Sequence, residues 1–188
     1  TSDGVQGVSR QQSNGKLIVM GTAMSVTGDP GNSYYLLRLD ANGNVLNDNF
    51  KRSGAGGYMY GVWSYPSTDP SFANQVRLFG SFPRWSDPTK TDYMVRLDVD
   101  GGTVYEKIGE EIVNGPIHFL TYQGTSQGNC LVIVGAFTKV FNTPMNNIAR
   151  LLPTGGLDST FNIGTGANGH VKRVTNDGTG LVLNGYFN

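Results

Sequence analysis

The chain has 188 residues, with 14 lysines and arginines against 14 aspartates and glutamates, so its formal net charge is zero. A neutral chain lacks the basic excess that nucleic acids and anionic membranes attract, which argues against both as main partners. Twenty-seven glycines and a charged fraction of only 15% favour many short strands joined by tight turns, and the single cysteine, Cys130, excludes an intrachain disulfide.

The first predicted element is a strand with two apolar residues three positions apart, and it recurs four times. The pairs are Val5 and Val8, Met59 and Val62, Ile117 and Leu120, and Val171 and Val174. A second strand follows each pair and ends in glycine, at 16–21, 75–80, 130–135 and 180–185. Aligned apolar positions in this second strand lie two residues apart, which places them on one face of a sheet.

A third strand carries an arginine at the same position in three repeats, namely Arg38, Arg96 and Arg150. A glycine-containing turn and a short fourth strand follow, at 44–46, 103–105 and 156–158. Glycine in such turns accepts the positive φ that a tight hairpin needs. We predict that each arginine anchors a neighbouring strand or turn through a charge-assisted hydrogen bond, with Asp48 and Asp158 as partners. The alternative is a ring of arginines that binds a ligand.

These strands define three units and one partial unit. The units cover 4–50, 58–106 and 116–162, and a fourth unit with two strands covers 170–188. Because each repeat buries its apolar face only against a neighbour, we interpret 1–188 as a single repeat domain.

The C-terminal part of the chain carries the repeat most specifically. It runs from Ile148-Ala-Arg-Leu through Gly156-Leu-Asp-Ser-Thr-Phe-Asn162 to Leu181-Val-Leu-Asn-Gly-Tyr-Phe187. This pattern resembles the delta-60 repeat, a β-propeller repeat similar to those of bacterial surface proteins and of phage tail or fibre proteins. The resemblance implies an all-β fold, a β-propeller or part of one with four-stranded antiparallel blades, of which this chain holds about three and a half. It implies no reaction, because fold does not determine function.

The number of repeats leaves a propeller open. Propellers close with four to eight blades, and an incomplete blade exposes an edge strand that invites another chain. Three interpretations follow: the chain is a piece of a larger propeller, two copies share a seven-bladed ring, or the sheets never close. Other protein chains, as further copies or as the rest of a longer protein, are therefore the predicted partners.

Several polar groups have an alternative chemical interpretation. Asp40 and Asp98 begin loops that resemble the start of a calcium loop, but the bidentate glutamate is missing, so we interpret both as turn residues. The glutamates cluster at Glu106, Glu110 and Glu111, where paired carboxylates could serve glycoside hydrolysis, although adjacent acids are usually solvated. His118 and His170 occupy matching places in two repeats and could meet near a channel or lie at the rim. We expect no metal site and no cofactor.

The insertions between repeated strands are the better candidates for binding, because loops on a rigid scaffold carry function. They lie at 22–34, 64–74, 81–92 and 136–146. The ligand-binding candidates in them are Tyr34, Tyr65, Arg84, Trp85 and Phe141. A tryptophan beside an arginine is typical of an anchor for sugar or protein contact. The alternative is that Trp85 and Phe141 cover the edge of a sheet.

We therefore expect a non-enzymatic binding or assembly module of an extracellular, cell-surface or virion protein. Its loops would take part in adhesion or in recognition of a receptor or surface glycan, without membrane insertion and without nucleic acid. The alternatives are an enzyme that acts on polysaccharides and a purely structural spacer in a filament.

Overall fold

The structure is a computed structural model that describes residues 4–11, 14–53, 57–64, 75–84, 87–104 and 112–188. Every regular element in these ranges is a β-strand, so the predicted all-β fold is confirmed. The chain divides into two compact units, Thr1–Tyr105 and Glu106–Asn188. The boundary lies at the end of the second predicted repeat.

The first unit contains two antiparallel sheets of four strands each. The first sheet has the order β1 (Gly4–Arg10), β2 (Leu17–Val26), β3 (Asp29–Leu39) and β4 (Arg52–Ser53). The second has the order β5 (Tyr58–Ser64), β6 (Val76–Arg84), β7 (Asp87–Leu97) and β8 (Thr103–Val104). The predicted insertion 22–34 and the described residues of 81–92 are therefore mostly strand rather than loop, because β2 and β3, and likewise β6 and β7, extend into them.

The second unit contains one sheet of three strands and two hairpins. Its strands are β9 (Ile117–Thr125), β10 (Gly128–Gly135), β11 (Lys139–Val140), β12 (Thr143–Pro144), β13 (Ile148–Leu151), β14 (Val171–Asn176) and β15 (Leu181–Gly185). The sheet has the order β13-β10-β9, and β11-β12 and β14-β15 are the hairpins.

The predicted fourth strand is correct in only one repeat. It is a strand in the second repeat, where β8 pairs with β7. In the first and third repeats it is a single bridge, Leu39 to Val45 and Leu151 to Leu157. In the first repeat, the fourth strand of the sheet is β4, which pairs with β3 at Tyr34 and Leu36.

All four repeats pair their first two strands in the same register. The first apolar residue of each pair lies opposite the glycine that closes the second strand. The second apolar residue of the pair lies opposite the apolar residue that stands two positions before that glycine. The opposed residues are Val5 with Gly21, Val8 with Val19, Met59 with Gly80, Val62 with Leu78, Ile117 with Gly135, Leu120 with Ile133, Val171 with Gly185, and Val174 with Leu183. A β-bulge adds one residue between the members of each pair, so residues three apart in sequence face the same side.

The closing glycines are required by close approach of the backbone. A Cβ atom on Gly135 would lie 2.1 Å from the carbonyl oxygen of Pro116, and one on Gly185 would lie 2.2 Å from that of His170. Gly21 and Gly80 face the equivalent carbonyls of Gly4 and Tyr58 at 2.1 and 2.2 Å. The repeated glycine therefore lets the first two strands approach closely at the bulge.

Each repeat sheet has two sides, which we call the front face and the back face and define with residues of the first repeat. The front face carries the apolar pair of the first strand and the residues opposite it, such as Val8, Val19 and Leu37. The back face carries the alternate residues of the second and third strands, such as Met20 and Leu36.

Within each unit, the back face of one repeat packs against the front face of the next. In the first unit, back-face residues Ile18, Met20 and Leu36 share a core with front-face residues Met59, Val76, Leu78, Val95 and Leu97. In the second unit, Val132, Val134 and Ile148 share a core with Val171, Val174, Leu181 and Leu183. Burial of these aliphatic faces is the main source of stability for the stacked sheets.

Candidate binding surface

Among the four repeats, the front face of the first sheet has the most exposed apolar pair in the described chain. Val5 and Val8 are 63% and 55% exposed, whereas Met59, Ile117 and Val171, at the place of Val5, are at most 3% exposed. The exposed apolar residues of this face are therefore Val5 and Val8 of the edge strand, beside the buried Val19 and Leu37.

A groove of about 680 Å³ runs over this front face. Its floor is apolar and is formed by Val5, Val19, Met24, Leu37, Leu39 and Val45. Its polar rim includes Asp29 and Lys51 together with Asn44 and Asn47. An apolar floor with a few polar groups at its edge is the usual composition of a binding cleft.

An ion pair fixes the rim beside the tip of the β2–β3 hairpin. The tip is a two-residue turn, Thr27–Gly28, in which Gly28 has a φ of 87°. Lys51 Nζ lies 2.8 Å from Asp29 Oδ2, and its ammonium group lies 5.1 Å from the centre of the Tyr34 ring. The hydroxyl of Tyr34 donates a hydrogen bond to Asp29.

These contacts hold the rim groups in one protonation state. The hydrogen bonds from Lys51, Tyr34 and Asn32 hold the pKa of the Asp29 carboxyl far below its usual range. The bond to Asp29 raises the pKa of the Lys51 amine and of the Tyr34 hydroxyl. Near neutral pH, Asp29 and Lys51 therefore stay charged and Tyr34 stays neutral.

The predicted role of two of the repeated arginines is confirmed. Arg38 Nε donates to Asp48 Oδ2 over 2.8 Å, and Arg150 Nε donates to Asp158 Oδ2 over the same distance. Each guanidinium also stacks on a phenylalanine a few residues after the aspartate, at 4.4 Å for Phe50 and 4.6 Å for Phe161. The arginine therefore fastens the turn after the third strand to the sheet. The stretch that follows Arg96 at 105–111 lies outside the described residues.

Asp158 is the most buried of these carboxylates, with 1% of its side chain exposed. Burial raises the pKa of its carboxyl, but hydrogen bonds from Thr160 and from Arg150 outweigh burial and leave the pKa below the ordinary value. The carboxylate is therefore a structural anchor.

Asp40 and Asp98 are turn residues, as predicted. Asp40 Oδ1 accepts hydrogen bonds from the backbone amides of Asn42 and Asn44, and Asp98 Oδ1 accepts them from Asp100 and Gly102. The turn glycines Gly43 and Gly101 have φ values of 88° and 86°. These carboxylate oxygens bond to their own turns, which is the interaction that favours aspartate at a turn start.

The structure places three of the five candidate binding residues. Tyr34 lies in β3 and is buried, so the prediction that it lies in a loop is wrong. Arg84 ends β6 and its Nε lies 2.8 Å from Asp92 Oδ1, which joins the two strands of the second long hairpin. Phe141 is half-buried in the turn between β11 and β12, where it and Asn142 both have positive φ, as a two-residue hairpin turn requires. Tyr65 and Trp85 lie outside the described residues, and the binding role of all five stays a prediction.

The two histidines meet, as one interpretation allowed. The ring centroids of His118 and His170 lie 6.1 Å apart, and His118 Nδ1 lies 3.1 Å from the carbonyl oxygen of Val171. Burial lowers the pKa of His118. In the part of the chain that the structure describes, no three His, Cys, Asp or Glu side chains are grouped to hold a metal ion. Glu106, Glu110 and Glu111 lie outside the described residues.

Sequence reasoning missed the groove. The pair Val5 and Val8 matches apolar pairs that are buried elsewhere, so its pattern predicts a core position.

Comparison with known proteins supports the repeat architecture. A family model described as a β-propeller domain of unknown function, DUF5122, matches residues 12–45 and 131–161. These segments cover the second and third strands of the first repeat and the equivalent part of the third repeat, as far as Phe161. A search of curated proteins finds no match. Among the described residues there is no helix with the length and apolar character to cross a membrane. The chain is thus an all-β protein with antiparallel repeat sheets and two segments that match a β-propeller family model.

Proposed function

We propose that this chain is a non-enzymatic binding and assembly module of an extracellular β-propeller protein on a cell surface or a virion. The observation that carries the proposal is the exposed front face of the first sheet, with its apolar groove. Apolar surface costs free energy in water, so a face that exposes two neighbouring valines on one strand is suited to contact with another macromolecule.

The chemistry of the groove rim also supports binding. Asp29 and Lys51 are paired with each other, and their pKa values lie on opposite sides of neutrality. Catalytic acids and bases need a pKa near the working pH, which these groups lack. They can instead present a fixed dipole and hydrogen-bonding groups at the edge of an apolar floor.

The resemblance to the delta-60 repeat supports the setting. Similar repeats belong to bacterial surface proteins and to phage tail or fibre proteins, where a rigid β scaffold presents loops. In this setting, we propose the aromatic candidates Tyr65, Trp85 and Phe141, together with Arg84, as contact residues for a receptor or surface glycan. The ion pair between Arg84 and Asp92 joins the two strands of the second hairpin, and Trp85 follows Arg84 in the sequence.

The experiment is a binding measurement on an array of bacterial and eukaryotic surface glycans, with product analysis of every bound glycan. We expect binding without cleavage, weakened about tenfold or more by Trp85→Ala, as for an aromatic contact residue at an interface. The matched control is Tyr58→Ala, which removes an aromatic side chain that is 66% exposed in β5.

Two outcomes would contradict this proposal. Cleavage of a bound glycan that is lost in the double variant Glu110→Gln/Glu111→Gln would make the chain an enzyme that acts on polysaccharides. Absence of binding to every glycan, together with absence of self-association, would make it a structural spacer.

A further inference from the structure

We propose that the front face of the first sheet binds the back face of the C-terminal hairpin, β14–β15, of a second copy of this chain. The inference rests on the assembly part of the proposed function and names the partner. It assigns a head-to-tail contact, in which two different surfaces of the same chain meet.

The first step is the packing rule within the chain. The back face of the first sheet covers the front face of the second sheet, through Ile18, Met20 and Leu36. The back face of the third repeat covers the front face of the hairpin β14–β15 in the same way, through Val132, Val134 and Ile148. In both units, the front face of one repeat therefore receives the back face of the repeat before it.

The second step is that one face of each kind carries exposed apolar residues. On the front face of the first sheet, Val5 and Val8 of the edge strand are 63% and 55% exposed, whereas Val19 and Leu37 are buried with Met24 and Tyr34 of the extended hairpin. The back face of β14–β15 exposes Val182 at 57%, and Tyr186, just beyond β15, is 78% exposed. Val182 occupies the position of Ile18 and Val132 in the earlier repeats, and both of those are fully buried.

The third step concerns the size of the groove and the charges at the two surfaces, which include the ammonium group of Lys172 at 5.8 Å from the centre of the Tyr186 ring. The groove over the front face has an apolar floor and a volume of about 680 Å³, which is enough to receive the side chains of Val182 and Tyr186. The ionic groups on its rim, Asp29 and Lys51, neutralise each other. The chain has zero net charge, so two copies do not repel each other at long range.

The fourth step concerns the geometry of a contact between two different faces. A head-to-tail contact closes a ring when the rotation between copies allows it and otherwise continues into a filament. For a ring and for a filament alike, the proposal predicts self-association that requires the front face of the first sheet and the back face of β14–β15.

The test is sedimentation equilibrium of the 188-residue chain and of surface variants at micromolar concentration. We expect a wild-type mass of twice 20.2 kDa or a larger multiple. The front-face variant Val5→Lys/Val8→Lys and the back-face variant Val182→Lys/Tyr186→Lys should each raise the dissociation constant at least about thirtyfold, because each places unpaired charges in an apolar contact. All four side chains are exposed, so the substitutions leave the described cores intact.

The matched control is Val99→Lys, which makes the same change at a turn residue that is 42% exposed and lies outside both faces. It should associate like the wild type. An equimolar mixture of the two face variants should regain dimers, because one front face and one back face in each mixed pair are still intact. An interface between two front faces cannot regain dimers in this way.

A wild-type chain that stays at 20.2 kDa would overturn the inference, as would a dimer that does not respond to Val182→Lys/Tyr186→Lys. Glycan binding by the front-face variant separates this inference from the proposed function. If that variant still binds glycan, the glycan-binding part of the proposed function holds whatever the oligomeric state.

Discussion

The glycine that closes the second strand of every repeat offers a sharp test of the register. In Gly135→Ala, the new Cβ would lie 2.1 Å from the carbonyl oxygen of Pro116 and 2.9 Å from Cα of Ile117. Both neighbours are backbone atoms on β9 or next to it, so rotation of a side chain cannot relieve the overlap. Strands β9 and β10 must move apart by about 1 Å to restore ordinary contact distances.

That separation affects two described interactions. The carbonyl of Pro116 accepts a hydrogen bond from the amide of Ala136 over 2.9 Å, and Ile117 is fully buried. A lost net hydrogen bond costs about 1 kcal/mol, and overpacking of a core costs about 1–3 kcal/mol more. We therefore expect Gly135→Ala to lower the free energy of unfolding by about 2–4 kcal/mol, a large part of the usual 5–15 kcal/mol.

The control is Gly156→Ala in the same unit. A Cβ atom on Gly156 would meet no atom within 4 Å, so we expect a change within about 0.5 kcal/mol. Urea unfolding measures both variants, and amide hydrogen exchange of β9 and β10 shows whether the loss is local to this sheet. Equal stabilities for Gly135→Ala and Gly156→Ala would refute the argument from close approach.

Two further predictions concern polar anchors of the second unit. Asp158→Asn should lower the free energy of unfolding by about 3 kcal/mol, because it leaves the largely buried guanidinium of Arg150 without its counter-charge. The folded-state pKa of Asp158 lies below its ordinary value of 3.8, so its stabilising contribution is complete above that pH and is lost as the pH falls through the folded-state pKa. Urea unfolding from pH 5 down to pH 2 should then show a weaker pH dependence for Asp158→Asn than for wild type, and an identical dependence would contradict the anchor role. Asn147 has a φ of 65° and its side-chain amide donates to the carbonyl of Ala167 over 2.8 Å. Asn147→Ala should therefore cost about 2 kcal/mol and Asn147→Gly about 1 kcal/mol, since glycine removes the hydrogen bond but tolerates the positive φ; equal thermal stabilities of the two variants would exclude a contribution from backbone strain.

The repeated pattern predicts the pairing of strands well. The arginine–aspartate pairs at Asp48 and Asp158, and the turn glycines Gly43 and Gly101, lie where short-range spacing places them. These features depend on residues close in sequence, where turn geometry and charge leave few alternatives.

The long hairpins could not be predicted in the same way. Residues 22–34 contain Gly28, Pro30 and Gly31, which are typical of a loop, yet β2 and β3 continue on either side of a two-residue turn. Met24 and Tyr34 from these extensions are buried with Val19 and Leu37 on the first sheet. Tertiary packing therefore outweighs the local preference of glycine and proline.

By itself, the sequence determined that the chain is all-β, that its strands repeat, and which residues close each turn, because periodicity and turn chemistry act over a few residues. Only the tertiary structure decided which apolar faces are covered. Val5 and Met59 occupy the same place in their repeats, but one is 63% exposed and the other 3% exposed. Burial depends on the neighbouring sheet, which lies far away in sequence, and this is the physical reason that the groove and the back face of the last hairpin appear only in the folded chain.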